Sequence, residues 1–190
     1  MTPNRRTMLG AIVGAAVLVA SRRAVQAIPS GLDQGGNPMR DFDFLFGKWS
    51  VRHRRLKSRL TGCTEWETFS GTSEARPILG GVGNIDDNVL ELPAGTYTAA
   101  SIRVFDPDKK QWSIWWLDSR TANMDTPVRG SFVSRVGTFY AVDELRGKPI
   151  KVRFLWSHIT GNSAKWEQAF SPDGGANWET NWTMEFARRT

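Results

Sequence analysis

The sequence predicts an all-β fold, a single antiparallel meander β-barrel of about ten strands. Short runs rich in Val, Ile, Thr, Phe and Trp recur after residue 47, and turn residues separate them. No window of twelve or more residues after residue 41 shows a helical period with caps. The 190 residues are enough for one domain with a substantial core. A sheet of this size manages its edges by closing into a barrel or by folding into a sandwich, and we expect the barrel.

The first element is predicted to be an export signal, residues 1–27, rather than part of the fold. Arg5 and Arg6 precede an uncharged apolar run, 8–20, which is too short to span a membrane. Small residues then lead to a cleavage site after Ala27. The arginine pair resembles a bacterial twin-arginine signal, and an ordinary secretory signal is the alternative. We expect a periplasmic or secreted protein whose mature chain is not stably inserted in a membrane.

The net charge changes once this segment is set aside. The formal charge of +6 suggests an acidic partner such as nucleic acid. Four of the 25 basic residues lie in 1–27, together with no acid, so the remainder carries 21 basic and 19 acidic residues, a net +2. Such a surface releases few counterions, and we expect no nucleic-acid partner. The single Cys excludes an intramolecular disulfide framework.

The mature chain is predicted to begin with a flexible lead-in and a short helical turn. Residues 28–40 are rich in Gly, Pro and polar residues, and the barrel domain is predicted to cover 41–190. The apolar segment 41–46 forms a single turn that Gly47 ends. Strands are then predicted at 47–57, 65–75, 77–82, 88–92, 97–105, 111–118, 127–134, 136–143, 149–159, 163–171 and 177–187.

Alternation along the strands predicts which side chains point into the barrel. Large aromatic rings can line a barrel interior and leave room for a small ligand, or they can pack together as a filled core. In the first case the Trp rings form apolar walls, and Asp118 and Gln168 supply orienting hydrogen bonds. The residues predicted to bind the ligand are Arg55, Trp116, Asp118, Trp156, His158, Gln168 and Trp182.

Arg55 is predicted to face inward together with His53 and to hold an anionic group of the ligand. A lone buried charge is costly, so Arg55 needs an acidic partner or a ligand carboxylate. The candidate partners in the protein are Asp118, Glu65 and Glu67. A solvated basic edge strand is the alternative for this run of cations.

Gly47-Lys48-Trp49 opens the first strand and resembles the G-x-W signature of the calycins. In that group a late basic residue packs on the Trp ring, and either Arg188 or Arg189 is placed to do so. We therefore take Gly47, Trp49 and Arg188 as a structural signature.

Longer segments resemble the bacterial domain of unknown function 1579 family, over about residues 41–187. The segments that carry this resemblance are 41–49, 54–56, 79–84, 112–116, 166–171 and 173–186. The resemblance implies a calycin-like barrel of the lipocalin or nitrobindin type and no particular activity.

Three functions stay open at this point. The first is binding of a small apolar or amphipathic ligand, without a cofactor. The second is a barrel enzyme with isomerase or haem chemistry, in which His158 would ligate the iron as the late histidine of nitrobindins does. The third is an interaction module that uses outward-facing Trp115 and Leu117, and an oligomer is compatible with it. Two His and one Cys are too few for a zinc site.

Overall fold

Ten antiparallel strands close into one barrel in the computed structural model, which describes residues 36–121 and 123–189. Each strand pairs with the next along the chain, and the last strand returns to pair with the first, so the predicted meander barrel is confirmed. The strands are β1 (Gly47–Leu56), β2 (Trp66–Ile78), β3 (Gly83–Leu92), β4 (Gly95–Asp106), β5 (Gln111–Asp118), β6 (Val128–Val133), β7 (Val136–Leu145), β8 (Lys148–Ser157), β9 (Ser163–Ser171) and β10 (Glu179–Arg188).

The predicted export signal, with Arg5, Arg6 and Ala27, lies outside the described residues. So does the first part of the predicted lead-in, 28–35. Across the part of the chain that the structure describes, no helix combines the length and apolar character needed to cross a membrane.

The prediction of a separate strand at 77–82 is wrong. Its first two residues end β2, and Leu79–Gly81 forms a 3-10 turn in which Gly80 and Gly81 have φ values of 65° and 97°. Glycine adopts such angles without the steric cost that other residues incur, so the chain reverses here. The following strand is also longer than the predicted 88–92, because β3 begins at Gly83.

Two short 3-10 turns, Pro38–Arg40 and Asp43–Leu45, pack into one end of the barrel and close it. Phe42 lies between them with none of its surface exposed. Its ring meets the edge of Trp112 at 5.0 Å between centroids and that of Phe132 at 4.9 Å. We call this the closed end, and the opposite end, where β1 and β5 finish, the open end.

Trp49, Arg188 and Gly47 form one structural unit at the closed end. The Trp49 indole N–H donates to the Leu45 carbonyl at 2.7 Å. The Arg188 guanidinium carbon lies 4.1 Å from the Trp49 ring centroid, and its nitrogens donate to the main-chain carbonyls of Phe44 and Phe46. A Cβ on Gly47 would come within 3.1 Å of that guanidinium. Arg188 is therefore the late arginine that covers the Trp.

Candidate ligand-binding site

An interior cavity of about 220 Å³ lies between the closed end and the open end. Strands β3 and β4 give it a polar wall, and β5, β8, β9 and β10 give it an aromatic wall. The polar wall consists of Asp86, Asn88, Ser101 and Arg103. The aromatic wall consists of Trp116, Phe154, Trp156, Trp166, Phe170, Trp182 and Phe186.

Trp182 is the centre of the aromatic wall. Its ring makes edge-to-face contacts with Trp116 at 6.1 Å and with Trp166 at 5.7 Å between centroids. Phe154 packs against Trp166 in the same way at 4.8 Å. Edge-to-face rings hold one another in fixed orientations, so this wall presents a pre-formed apolar surface.

A buried ion pair dominates the polar wall. Arg103 donates to the Asp86 carboxylate at 2.6 Å, and the two side chains are 4% and 6% exposed. A second Arg103 nitrogen donates to the Asn84 side-chain oxygen at 3.0 Å. The Asn88 amide and the Ser101 backbone N–H donate to the other Asp86 oxygen. Among the described residues the buried Arg103 Nε–H has no hydrogen-bond partner, so this wall keeps an unused donor.

Sequence reasoning missed this polar wall. Asn84, Asp86 and Asn88 point inward at every second position and are followed in phase by the buried Leu90. Within 84–88 the three inward positions are Asn84, Asp86 and Asn88, whereas the other strands are marked by β-branched and aromatic residues. The signal that could have identified the wall is the alternation of side-chain direction along a strand. This alternation places every second residue on the inner face whether the residue is polar or apolar.

The predicted ligand-binding residues fall into three places. Four of them line the interior cavity: Trp116, Trp156, Gln168 and Trp182. Arg55 and Asp118 lie instead in a groove at the open end, which Trp182 also lines, and His158 lies outside both.

Gln168 is held by Asn181, which lies next to the inward-facing Trp182 on β10. Its amide N–H donates to the Asn181 side-chain oxygen at 2.8 Å. The pairing of β10 with β9 shifts register between Thr180 and Trp182, and this bulge turns Asn181 inward until none of it is exposed.

Arg55 and Asp118 each have a charged partner in the protein. Arg55 pairs with Glu67 at 3.3 Å, which selects Glu67 from the three predicted candidates. Asp118 accepts two hydrogen bonds from the Arg120 side chain and one from its backbone N–H, and these hold the pKa of Asp118 below its usual range. Arg55 also lies over the Trp182 ring at 5.5 Å.

The prediction that His158 faces the interior is wrong. Strand β8 ends at Ser157, and His158 takes a left-handed conformation with φ 52° that turns its side chain outward. The side chain is exposed and its Nδ1 lies 3.0 Å from the Ser157 hydroxyl. His53 is buried but does not line the cavity, and residues 36–121 and 123–189 hold no cluster of three metal-binding side chains. The haem alternative therefore has no histidine ligand inside the cavity.

The outer surface differs from the one that the interaction alternative assumed. Trp115 and Leu117 are half-buried, and Leu117 forms a β-bridge with Met124. Exposed large apolar side chains occur at Met124, beside Leu117, and elsewhere at Leu79, Val133, Val136, Tyr140 and Val142.

His53 faces inward as predicted and is held in its neutral form. It is 3% exposed, stacks on Phe69 at 4.6 Å, and accepts the Trp182 indole N–H at Nδ1, 3.3 Å away. Burial, with a smaller contribution from the charge of Arg55, lowers the pKa of His53 from 6.5 to about 4. Protonation would put a hydrogen on Nδ1, directly against the indole N–H.

We expect this histidine to reduce stability as the solution becomes acidic. The unfolded chain takes up its proton near pH 6.5 and the folded chain only near pH 4, so the contribution of His53 to the free energy of unfolding falls as the pH drops through that window. The full loss is about 3 kcal/mol. Urea unfolding of the wild type and of His53→Gln between pH 7 and pH 4 measures it as a shrinking difference in stability.

The matched control is His158→Gln, which removes the exposed histidine. The change in its difference from the wild type over the same window is subtracted from that of His53→Gln. Comparison at each pH cancels other groups, such as Asp41, whose pKa burial raises to about 6. A His53→Gln difference that does not change with pH would contradict a neutral buried His53.

Comparisons with known proteins support the barrel fold and assign no function. No family model matches the chain, and no curated protein matches it. Among solved structures, the S-type phycobiliprotein lyase CPES from Guillardia theta is similar with a TM-score of 0.50 and 10% identity, over 78% of this chain and 90% of that one. EF1p2_mFAP2b bound to DFHBI matches with a TM-score of 0.45 and 12% identity, over 80% of this chain and 100% of that one. A de novo designed fluorescence-activating β-barrel matches with a TM-score of 0.43 and 12% identity, over 77% of this chain and 95% of that one. The similarity to the lyase shows a shared β-barrel fold.

Proposed function

We propose that the protein binds a small amphipathic molecule inside its barrel. The observation that carries this proposal is the interior cavity of about 220 Å³ with one aromatic and one polar wall. A core that served only to fold the chain would be expected to fill this space, since protein interiors pack densely. An apolar cavity of about 150 Å³ is enough to bind benzene. The interior cavity therefore suits a ligand of roughly one or two rings.

The chemistry of the two walls selects a flat, largely apolar ligand with a polar edge. The rings of Trp116, Trp166 and Trp182 offer faces and edges to an aromatic body. In the same cavity Asp86 offers an acceptor, and Arg103 and Ser101 offer donors. Few well-placed polar groups in an apolar pocket are the usual means by which such sites orient their ligands.

Indole is a suitable probe because it has two fused rings and one N–H donor. Isothermal titration calorimetry should show saturable one-to-one binding of indole to the wild type. Ser101→Phe places a ring in the cavity, because Ser101 is 6% exposed and lines the polar wall. We expect this variant to bind indole at least about tenfold more weakly, a loss of about 1.4 kcal/mol or more.

Thr98→Phe is the matched control, since Thr98 lies on the same strand with its side chain exposed. It should bind indole as the wild type does. Circular dichroism checks that both variants are folded, because overpacking a core costs about 1–3 kcal/mol. The proposal is wrong if the wild type does not bind indole, or if folded Ser101→Phe binds it with unchanged affinity.

The proposal also includes export and family. Arg5, Arg6 and the cleavage site after Ala27 support delivery to the periplasm or beyond, and N-terminal sequencing of the protein from that compartment should begin at Ile28. An N-terminus at Met1 would contradict export by cleavage. The resemblance to the domain of unknown function 1579 family agrees with the barrel fold and remains a prediction.

A further inference from the structure

The open end carries a second cavity, of about 420 Å³, which we call the open-end groove. Arg59 and Trp182 line both this groove and the interior cavity, so the two spaces meet at these side chains. The groove's other charged and polar lining residues are Arg55, Lys57, Glu67, Tyr97, Asp118 and Arg120.

The groove has an excess of positive charge, and Arg59 is its one cation without an ion pair in the described part of the chain. Four of its side chains are cationic and two are acidic. Arg55 pairs with Glu67 and Arg120 with Asp118, while Lys57 pairs with Glu65. Arg59 alone among the four has no ion pair within the described residues.

Arg59 is also held in place while its guanidinium stays partly unsatisfied. The segment that carries it, between β1 and β2, is anchored where Glu179 accepts the Leu60 backbone N–H at 2.8 Å and Arg146 donates to the Arg59 carbonyl at 3.1 Å. The Arg59 Nε is buried without a hydrogen-bond partner in the described part of the chain. Burial and the nearby Arg55 lower the pKa of Arg59, because both disfavour its charged form.

Tyr97 gives an independent second observation in the same groove. Tyr97 is 7% exposed. Its hydroxyl is buried and has no hydrogen-bond partner among residues 36–121 and 123–189. Arg120 covers the ring at 3.6 Å. Burial raises the pKa of the Tyr97 phenol, against the smaller opposing effects of Arg120 and Arg55, so the hydroxyl keeps its proton and can donate.

We propose that Arg59 and Tyr97 bind the oxyanion of an amphipathic acid whose apolar body lies in the interior cavity. This inference rests on the proposed function and names its ligand class, a carboxylate, sulfonate or phosphate attached to a small ring system. Such a group would accept hydrogen bonds from the buried Arg59 Nε–H and from the Tyr97 hydroxyl. It would also supply the counter-charge that the Arg59 guanidinium lacks. Arg55, the residue that alternation selects for this role, already has Glu67 as its partner.

The test compares three indole compounds on the wild-type protein by calorimetry: indole, indole-3-propionate and its neutral amide, indole-3-propanamide. The acid should bind at least about tenfold more tightly than the amide, because hydrogen bonds to a charged group are stronger than those to a neutral one. Arg59→Met, which keeps an apolar stem, should remove this preference by weakening the binding of the acid far more than that of the amide. Tyr97→Phe should reduce the preference without abolishing it.

Arg52→Met is the matched control, because Arg52 is 70% exposed on the outer face of β1. It should keep the full preference for the acid. Acid and amide binding equally well, or a preference that survives Arg59→Met, would overturn the inference and leave indole binding in place. If none of the three compounds binds, the proposed function itself fails.

Inorganic phosphate distinguishes an attached oxyanion from a free one. It should bind far more weakly than indole-3-propionate, because it cannot use the interior cavity. Phosphate binding as tight as that of the acid, with the same dependence on Arg59, would show a free-oxyanion site and overturn the amphipathic class.

Discussion

Replacing Asp86 with alanine is expected to destabilise the barrel by about 3–5 kcal/mol. The substitution leaves the Arg103 guanidinium with no counter-charge at a site where it is 4% exposed. Asp86 also accepts hydrogen bonds from Asn88 and from the Ser101 backbone, so their donors lose a partner as well. Urea unfolding monitored by Trp fluorescence measures the loss.

Two further variants separate the buried charge from the other effects of the substitution. Asp87→Ala removes the exposed neighbouring carboxylate and should change stability by less than about 0.5 kcal/mol. The double variant Asp86→Leu/Arg103→Met removes both charges and should recover much of the loss, because apolar replacements of buried ion pairs are often nearly neutral. A double variant as unstable as Asp86→Ala would contradict the view that the unpaired charge causes the loss.

Replacing Phe42 with alanine is expected to cost about 3–5 kcal/mol, the usual range for a fully buried Phe. Its ring is 0% exposed and contacts Trp112, Phe132 and Phe139, with centroid distances of 4.9–5.8 Å. The Arg103 guanidinium also lies 5.2 Å from its centroid, so Phe42 connects the closed end with the polar wall. Thermal and urea unfolding measure the change.

Phe44→Ala is the matched control, because Phe44 is half-buried in the same segment. It should cost less than half as much, since part of its surface already contacts water. Equal losses for the two variants would show that Phe42 does not plug the closed end in the way that its contacts indicate.

The barrel could be predicted from sequence because its aromatic strands alternate with a clear period of two. In β8, for example, Val152, Phe154 and Trp156 point inward as the pattern indicates. The pattern failed one step beyond the strand, at His158, because the left-handed turn that exposes it is not encoded by polarity. Alternation therefore predicts which side chains point into the barrel only as far as the strand continues.

The polar half of the site could not be found in this way. Asp86 and Arg103 lie inward on the same strands as the buried Leu90 and Phe105, and each charge is tolerated only because the other is within 2.6 Å. The ion pair joins a residue of β3 to a residue of β4, and a single sequence does not show which residues of two strands contact each other. Arg59 lies outside any strand, so no facing rule applies to it.

A crystal structure of the protein soaked with indole tests the central claim most directly. The account predicts planar density in the interior cavity, in contact with the rings of Trp116 and Trp182 and with its polar edge towards Asp86. Side chains that close the cavity, or indole bound only on the outer surface, would contradict it.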